Sequence, residues 1–174
     1  MTLDYNAISA LAAVIAALVA IVAVWVEGRR SRFSHGLDII LKLDDAFHTE
    51  EFKSKRRTVA KLLLKSDKNF DQSKHVEDIE DILNHFEMIG LLFKKGVLDK
   101  ELVSAQFFYW LHYYCFALKD YIASVRRWEP TAWEEVEWLH EQLIPLEREQ
   151  RPKGINIDPS KETMKEFLTR ESKL

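Results

Sequence analysis

From Ala7 to Val26 the chain carries no charged side chain, and the single polar side chain in that run is Ser9. At about 1.5 Å of rise per residue, a helix of that length covers a hydrocarbon core about 30 Å thick. The run therefore predicts a membrane-spanning helix, which fixes one end of the chain and leaves the rest to fold beside it. A cleaved leader is the rival reading, but the segment before the run holds Asp4 and no Lys or Arg, and no small-x-small site follows Trp25. Arg29, Arg30 and Arg32 come next, so the positive-inside rule sets that end in the cytoplasm and leaves Met1 to Asn6 outside. Tyr5 and Trp25 fit the aromatic belts at the two interfaces. The expectation is a single-pass inner-membrane protein with its N-terminus outside, anchored through Ala7, Trp25, Val26, Arg29, Arg30 and Arg32. Ala12, Ala16 and Ala20 recur at the small-xxx-small spacing that permits helix pairing inside a bilayer.

Behind the run, five Gly and four Pro leave few tight turns, and the abundance of Leu, Ala, Glu and Lys favours long helices. The expected fold is all-α: one N-terminal transmembrane helix followed by an antiparallel helical bundle of about five helices. Its expected parts are an anchor with a basic segment (1–32), a cytoplasmic helical domain (33–150) and a C-terminal linker with a short helix (151–174). Phe33, Leu37, Ile40 and Phe47 recur at helical spacing. Thr49 is placed to cap a second helix that has Glu50 and Glu51 in its first turn and Phe52, Val59, Leu62 and Leu63 on its apolar face. Val76, Ile79, Leu83, Phe86 and Phe93 give a third helix, closed by Lys94, Lys95 and Gly96. Asp99 caps a fourth, predicted to run to about Trp128. Its uncharged aromatic stretch, 102–118, reads as a buried central helix, with a helix lying along the membrane interface as the alternative. Thr131 and Glu134 form a capping-box pattern for a fifth helix, Pro145, Pro152 and Gly154 end regular structure, and Asp158-Pro159 opens a short terminal helix.

Lys and Arg number 25 against 28 Asp and Glu, so no global charge draws the chain to nucleic acid, and none is expected as a partner. No Gly-rich phosphate loop, paired-cysteine motif or nucleophile elbow occurs. The lone Cys115 lies three residues from His112, but an aromatic setting raises a thiol's pKa, which argues for a structural thiol. The sharpest enzymatic pattern is histidine one turn from a carboxylate, as in Asp45/His48, Asp81/His85 and Glu137/His140. Helical bundles build di-metal sites from that spacing, and His48, Glu137 and His140 are the ligands of such an alternative. The plainer reading is surface or capping histidines, with no metal or other cofactor. Lys53, Arg56 and Arg57 head a basic cluster on the second helix that faces anionic lipid in one reading and neighbouring acidic helices in the other. Phe86, Glu87 and Gly90 are the candidate helix-pairing seam.

The run Ile82-Leu83-Asn84-His85-Phe86-Glu87-Met88-Ile89-Gly90-Leu91-Leu92, continued by Lys95-Gly96-Val97-Leu98-Asp99-Lys100-Glu101-Leu102, resembles the bacterial membrane-protein family known as domain of unknown function 4760. Phe86-Glu87, Gly90, Gly96, Leu98 and the acidic cap carry the likeness, and His85 stands where an aromatic or aliphatic residue is usual. The resemblance extends over the N-terminal run and the Arg57-centred helix. It implies an anchored helical architecture in a bacterial inner membrane and brings no activity. The expected function is a membrane-tethered cytoplasmic helical interaction or regulatory module, not an enzyme. Its expected partners are the lipid bilayer and a protein partner or second copy of the chain. The alternative is a metal-dependent helical-bundle enzyme.

Overall fold

The computed structural model describes residues 33–65, 76–150 and 156–174, together with Ala23 and Glu27. Among the described residues every regular element is a helix: α1 (33–47), α2 (Glu50–Lys65), α3 (Val76–Lys94), α4 (Lys100–Ala117), α5 (Lys119–Val125), α6 (Glu134–Gln150) and α7 (Lys161–Glu171). None of these is long and apolar enough to cross a membrane. This overturns the expected fold of a transmembrane helix plus bundle. The described fold is an all-helical bundle with no span, and it has seven helices rather than about five. The expected anchor residues Ala7, Trp25, Val26, Arg29, Arg30 and Arg32 lie outside the described residues, and of that stretch only Ala23 and Glu27 are described, both helical and exposed. The aromatic α4 turns Val103, Phe107, Phe108, Leu111 and Tyr114 into a protein core.

Local chemistry sets the boundaries. Thr49 Oγ1 accepts from the Phe52 N–H at 3.2 Å and caps α2. At the end of α3, Gly96 takes φ +68. The Val97 N–H then reaches the Leu92 carbonyl at 3.0 Å and the Gly96 N–H the Phe93 carbonyl at 2.9 Å, a Schellman closure that favours glycine. Asp99 Oδ1 accepts from the Leu102 N–H at 3.1 Å and starts α4. The helix predicted to continue to Trp128 breaks at Leu118, where φ −106 and ψ 8 leave helical geometry and separate α4 from α5.

Two further expectations fail around α6. The capping donor at its start is received not by Thr131 but from α3, whose Glu87 Oε2 accepts the Val136 N–H at 2.9 Å. Pro145 sits inside α6, which runs on to Gln150. Its ring faces solvent, where water can take up the carbonyl that loses its donor.

Neighbouring contacts give the topology. Gly36 lies against Val97 and Phe47 against Phe86, so α1 runs antiparallel to α3. The pairs Lys55–Asp81 and Phe52–His85 set α2 antiparallel to α3. His112–His140 and Ser104–Glu147 do the same for α4 and α6. The core lies where α3 and α4 meet α6, filled by Ile79, Ile82, Leu83, Phe86, Ile89, Phe107, Leu111, Val136, Leu139 and Leu143. α7 lies across α2 and α4.

Candidate functional site

α2 and α7 bring opposite charges into the core. Arg56 shares the buried face of α2 with Val59 and Ala60, and Glu171 shares that of α7 with Phe167 and Leu168. Arg56 Nε donates to Glu171 Oε2 at 2.8 Å and Nη2 donates to Oε1 at 2.7 Å, a bidentate pair. Arg56 Nη1 donates to the Phe47 carbonyl at 3.2 Å, and the Tyr114 hydroxyl donates to Glu171 Oε2 at 2.8 Å. The guanidinium also lies 4.1 Å from the Phe47 ring centre and 5.7 Å from that of Trp110. Arg56 is 1% exposed and Glu171 4%. A pair this deeply buried persists because both carboxylate oxygens and all three guanidinium nitrogens have partners. Burial, reinforced by the Glu171 charge, holds the Tyr114 phenol well above its ordinary pKa, so it remains a donor.

Aromatic packing seats the rest of α7. Phe167 stacks on Tyr113 with ring centres 4.6 Å apart and meets Tyr114 edge-on at 5.3 Å. Arg57 donates to the main-chain oxygen of Leu174 through Nε at 2.9 Å and through Nη2. Beneath this network His85 lies 5.1 Å from the Phe47 ring centre, and its Nε2 is buried with no hydrogen-bond partner among the described residues. Burial, with the nearby Arg56 charge, pushes its pKa down to about 4, so the ring is neutral.

A second polar cluster joins α4 to α6. His112 Nε2 lies 2.8 Å from the Ile157 carbonyl, which can only accept, so Nε2 carries the hydrogen. Its Nδ1, 2.8 Å from His140 Nε2, is then the acceptor of the His140 N–H. Burial and the neighbouring His112 push His140 down to about 4. His140 borders a cleft of about 240 Å³ that is also lined by Cys115, Phe116, Lys119, Glu137 and Glu141. Burial raises the Cys115 thiol far above its ordinary pKa, which favours the protonated form.

The other residues singled out in the sequence fall in separate places. His48 Nδ1 lies 2.9 Å from the Asp44 carbonyl, Glu137 pairs with Arg126 and His140 pairs with His112. Among the described residues no three His, Cys, Asp or Glu are grouped so that they could hold a metal ion, and the structure does not bring His48, Glu137 and His140 together. Lys53 bonds Glu50 at 3.0 Å, whereas Arg56 faces the core and not a lipid surface, because Glu171, Phe47 and Trp110 enclose it. In the Phe86-Glu87-Gly90 set, Glu87 and Gly90 meet α6 within the same chain. A Cβ at Gly90 would lie 2.6 Å from the Glu135 carbonyl oxygen. Phe86 turns instead toward Phe47 and Tyr114.

Sequence reasoning missed Glu171 and the bond that Tyr114 makes to it. The signal was a charged residue on each of two apolar helix faces, Arg56 beside Val59 and Ala60 and Glu171 beside Phe167 and Leu168, with opposite signs.

Among the described residues an apolar stripe runs along α1. Phe33, Leu37 and Leu41 are 52%, 36% and 53% exposed along α1, whereas Ile40 and Phe47 of that helix are buried. No curated protein and no solved structure matches the chain. A family match covers residues 7–143, which take in α1 to α5 and the first part of α6 but not α7. By that match the chain belongs to the family described as Domain of unknown function (DUF4760).

Proposed function

We propose that the chain is a helical interaction module that pairs the exposed flank of α1 with a helix of a protein partner or of a second copy. One observation carries the reading: Phe33, Leu37 and Leu41 recur every fourth residue along α1 and stay exposed, while Gly36, Ile40 and Phe47 are packed inside. Single exposed apolar residues are ordinary on any surface. Three on successive turns of one helix form the stripe that helix pairing and helix-in-groove docking use. Among the described residues no three His, Cys, Asp or Glu are grouped as the metal-enzyme alternative requires.

The test is a photo-reactive amino acid at position 37 of the full chain, irradiated in cells. The expected result is one discrete cross-linked product that disappears with Leu41→Glu while helicity by circular dichroism is unchanged. A yield no higher than from the same replacement at exposed Arg148, or a product indifferent to Leu41→Glu, would remove α1 as the docking face.

A further inference from the structure

We propose that the groove between α2 and α4 is a receptor for the α7 helix of a second copy of this chain, so that two copies can exchange α7 and pair through it. The argument is independent of the α1 stripe and starts from what the groove selects. Its floor is aromatic, with Tyr113 and Tyr114 against Phe167. At one end Arg56 stands ready for a carboxylate, and Arg57 beside it takes a main-chain oxygen. An occupant must therefore be an amphipathic helix with an aromatic residue, a leucine one residue on and a carboxylate four residues beyond the aromatic. Phe167, Leu168 and Glu171 have that register.

Groove and occupant are also separable. α2 and α4 fall within the family match over residues 7–143, and α7 falls outside it. Asp158, Pro159 and Ser160 join Ile157 to α7. Ile157 is pinned by His112, so exchange pivots at Asp158-Pro159 and carries α7 alone. Because the exchanged helix makes the same contacts in either groove, exchange sacrifices no side-chain interaction. What opposes it is the high effective concentration of a chain's own helix, which favours the closed single chain until two copies are concentrated. The buried charges set the specificity, since an occupant without the carboxylate leaves Arg56 unmatched.

The experiment uses two full-length variants, Arg56→Glu and Glu171→Lys, both in a Leu37→Glu/Leu41→Glu background so that α1 pairing cannot contribute. Each variant alone places like charges in its own groove. A mixture restores opposite charges in both grooves, but only if α7 crosses between chains. Light scattering and melting of the 1:1 mixture should show a heterodimer at least about 10-fold tighter than either homodimer and a higher Tm than either variant alone. If neither variant folds alone, a folded mixture supports the exchange. A mixture that stays monomeric, that pairs no more tightly than its components, or that remains unfolded overturns it.

Discussion

Replacing Glu171 with alanine tests the chemistry at the centre of the fold. The carboxylate receives two bonds from Arg56 and one from Tyr114. Without it, Arg56 keeps the Phe47 carbonyl and two ring faces while only 1% exposed. While α7 stays docked, an uncompensated buried charge costs about 3–5 kcal/mol. α7 can instead let go, and the loss is then its own docking, chiefly the burial of Phe167 and Leu168 at about 1.5–3 kcal/mol each. The two routes cost similar amounts, so urea unfolding of Glu171→Ala should show a loss of about 3–5 kcal/mol by either. Hydrogen exchange separates them, because detachment strips protection from α7 at urea concentrations where α3 and α6 keep theirs. The double variant Arg56→Met/Glu171→Leu removes both charges at similar volume and should recover most of the loss. A single-variant loss below about 1 kcal/mol, or a double variant no more stable than the single, would refute the view that unmatched charge is what costs.

Three further outcomes follow from other contacts. Gly90→Ala forces a Cβ to 2.6 Å from the Glu135 carbonyl oxygen. Overpacking of about 1–3 kcal/mol there outweighs the gain of up to about 1 kcal/mol in helix propensity, so Tm should fall, and an unchanged or raised Tm would count against the close α3–α6 approach. Glu87→Ala removes the acceptor for the Val136 N–H and should cost about 0.5–2 kcal/mol, with the first turn of α6 exchanging faster than its middle. His85 and His140 titrate near 4 when folded against an ordinary value of 6.5, so the unfolded chain binds more protons throughout that window. Stability therefore falls as pH drops from about 6.5 to about 4, by at most about 1.4 kcal/mol per pH unit for each histidine, and His85→Phe should flatten the decline seen in urea midpoints. An unaltered slope would show that His85 is not held neutral by burial.

Local signals in the sequence were legible where one residue decides one boundary. Thr49, Gly96 and Asp99 act within a few residues of themselves, so their caps and closures can be read without tertiary knowledge. The start of α6 could not be read that way, because its cap comes from Glu87, 49 residues upstream. Trp133 takes φ +51 in the preceding turn, held by Arg126 donating to the Ala132 and Trp133 carbonyls and by its own indole donating to Asn84 Oδ1. Tertiary contacts of this kind override the local capping-box pattern. Pro145 misled for a related reason: a proline on the solvent side of a packed helix is tolerated, and packing is not visible in a breaker rule. The apolar run 7–26 points to a span by its length, lack of charge and flanking arginines, whereas among the described residues the apolar faces of α3, α4 and α6 fill a protein core. Pairing of the basic cluster with the acidic start of α3 is met by Lys55 and Asp81, but the partner of Arg56 is not legible, because Glu171 lies 115 residues away on α7.

That separation also orders events in time. On a ribosome adding about 5–20 residues per second, the codon for Glu171 is reached about 6–23 s after that for Arg56. Tyr114 is added about 3–11 s before Glu171, and from then until Glu171 is made the nascent chain holds a cationic, aromatic trough with nothing of its own to close it. A newborn copy is therefore open to the same helix offered by a neighbour on the same message, before its own has been made.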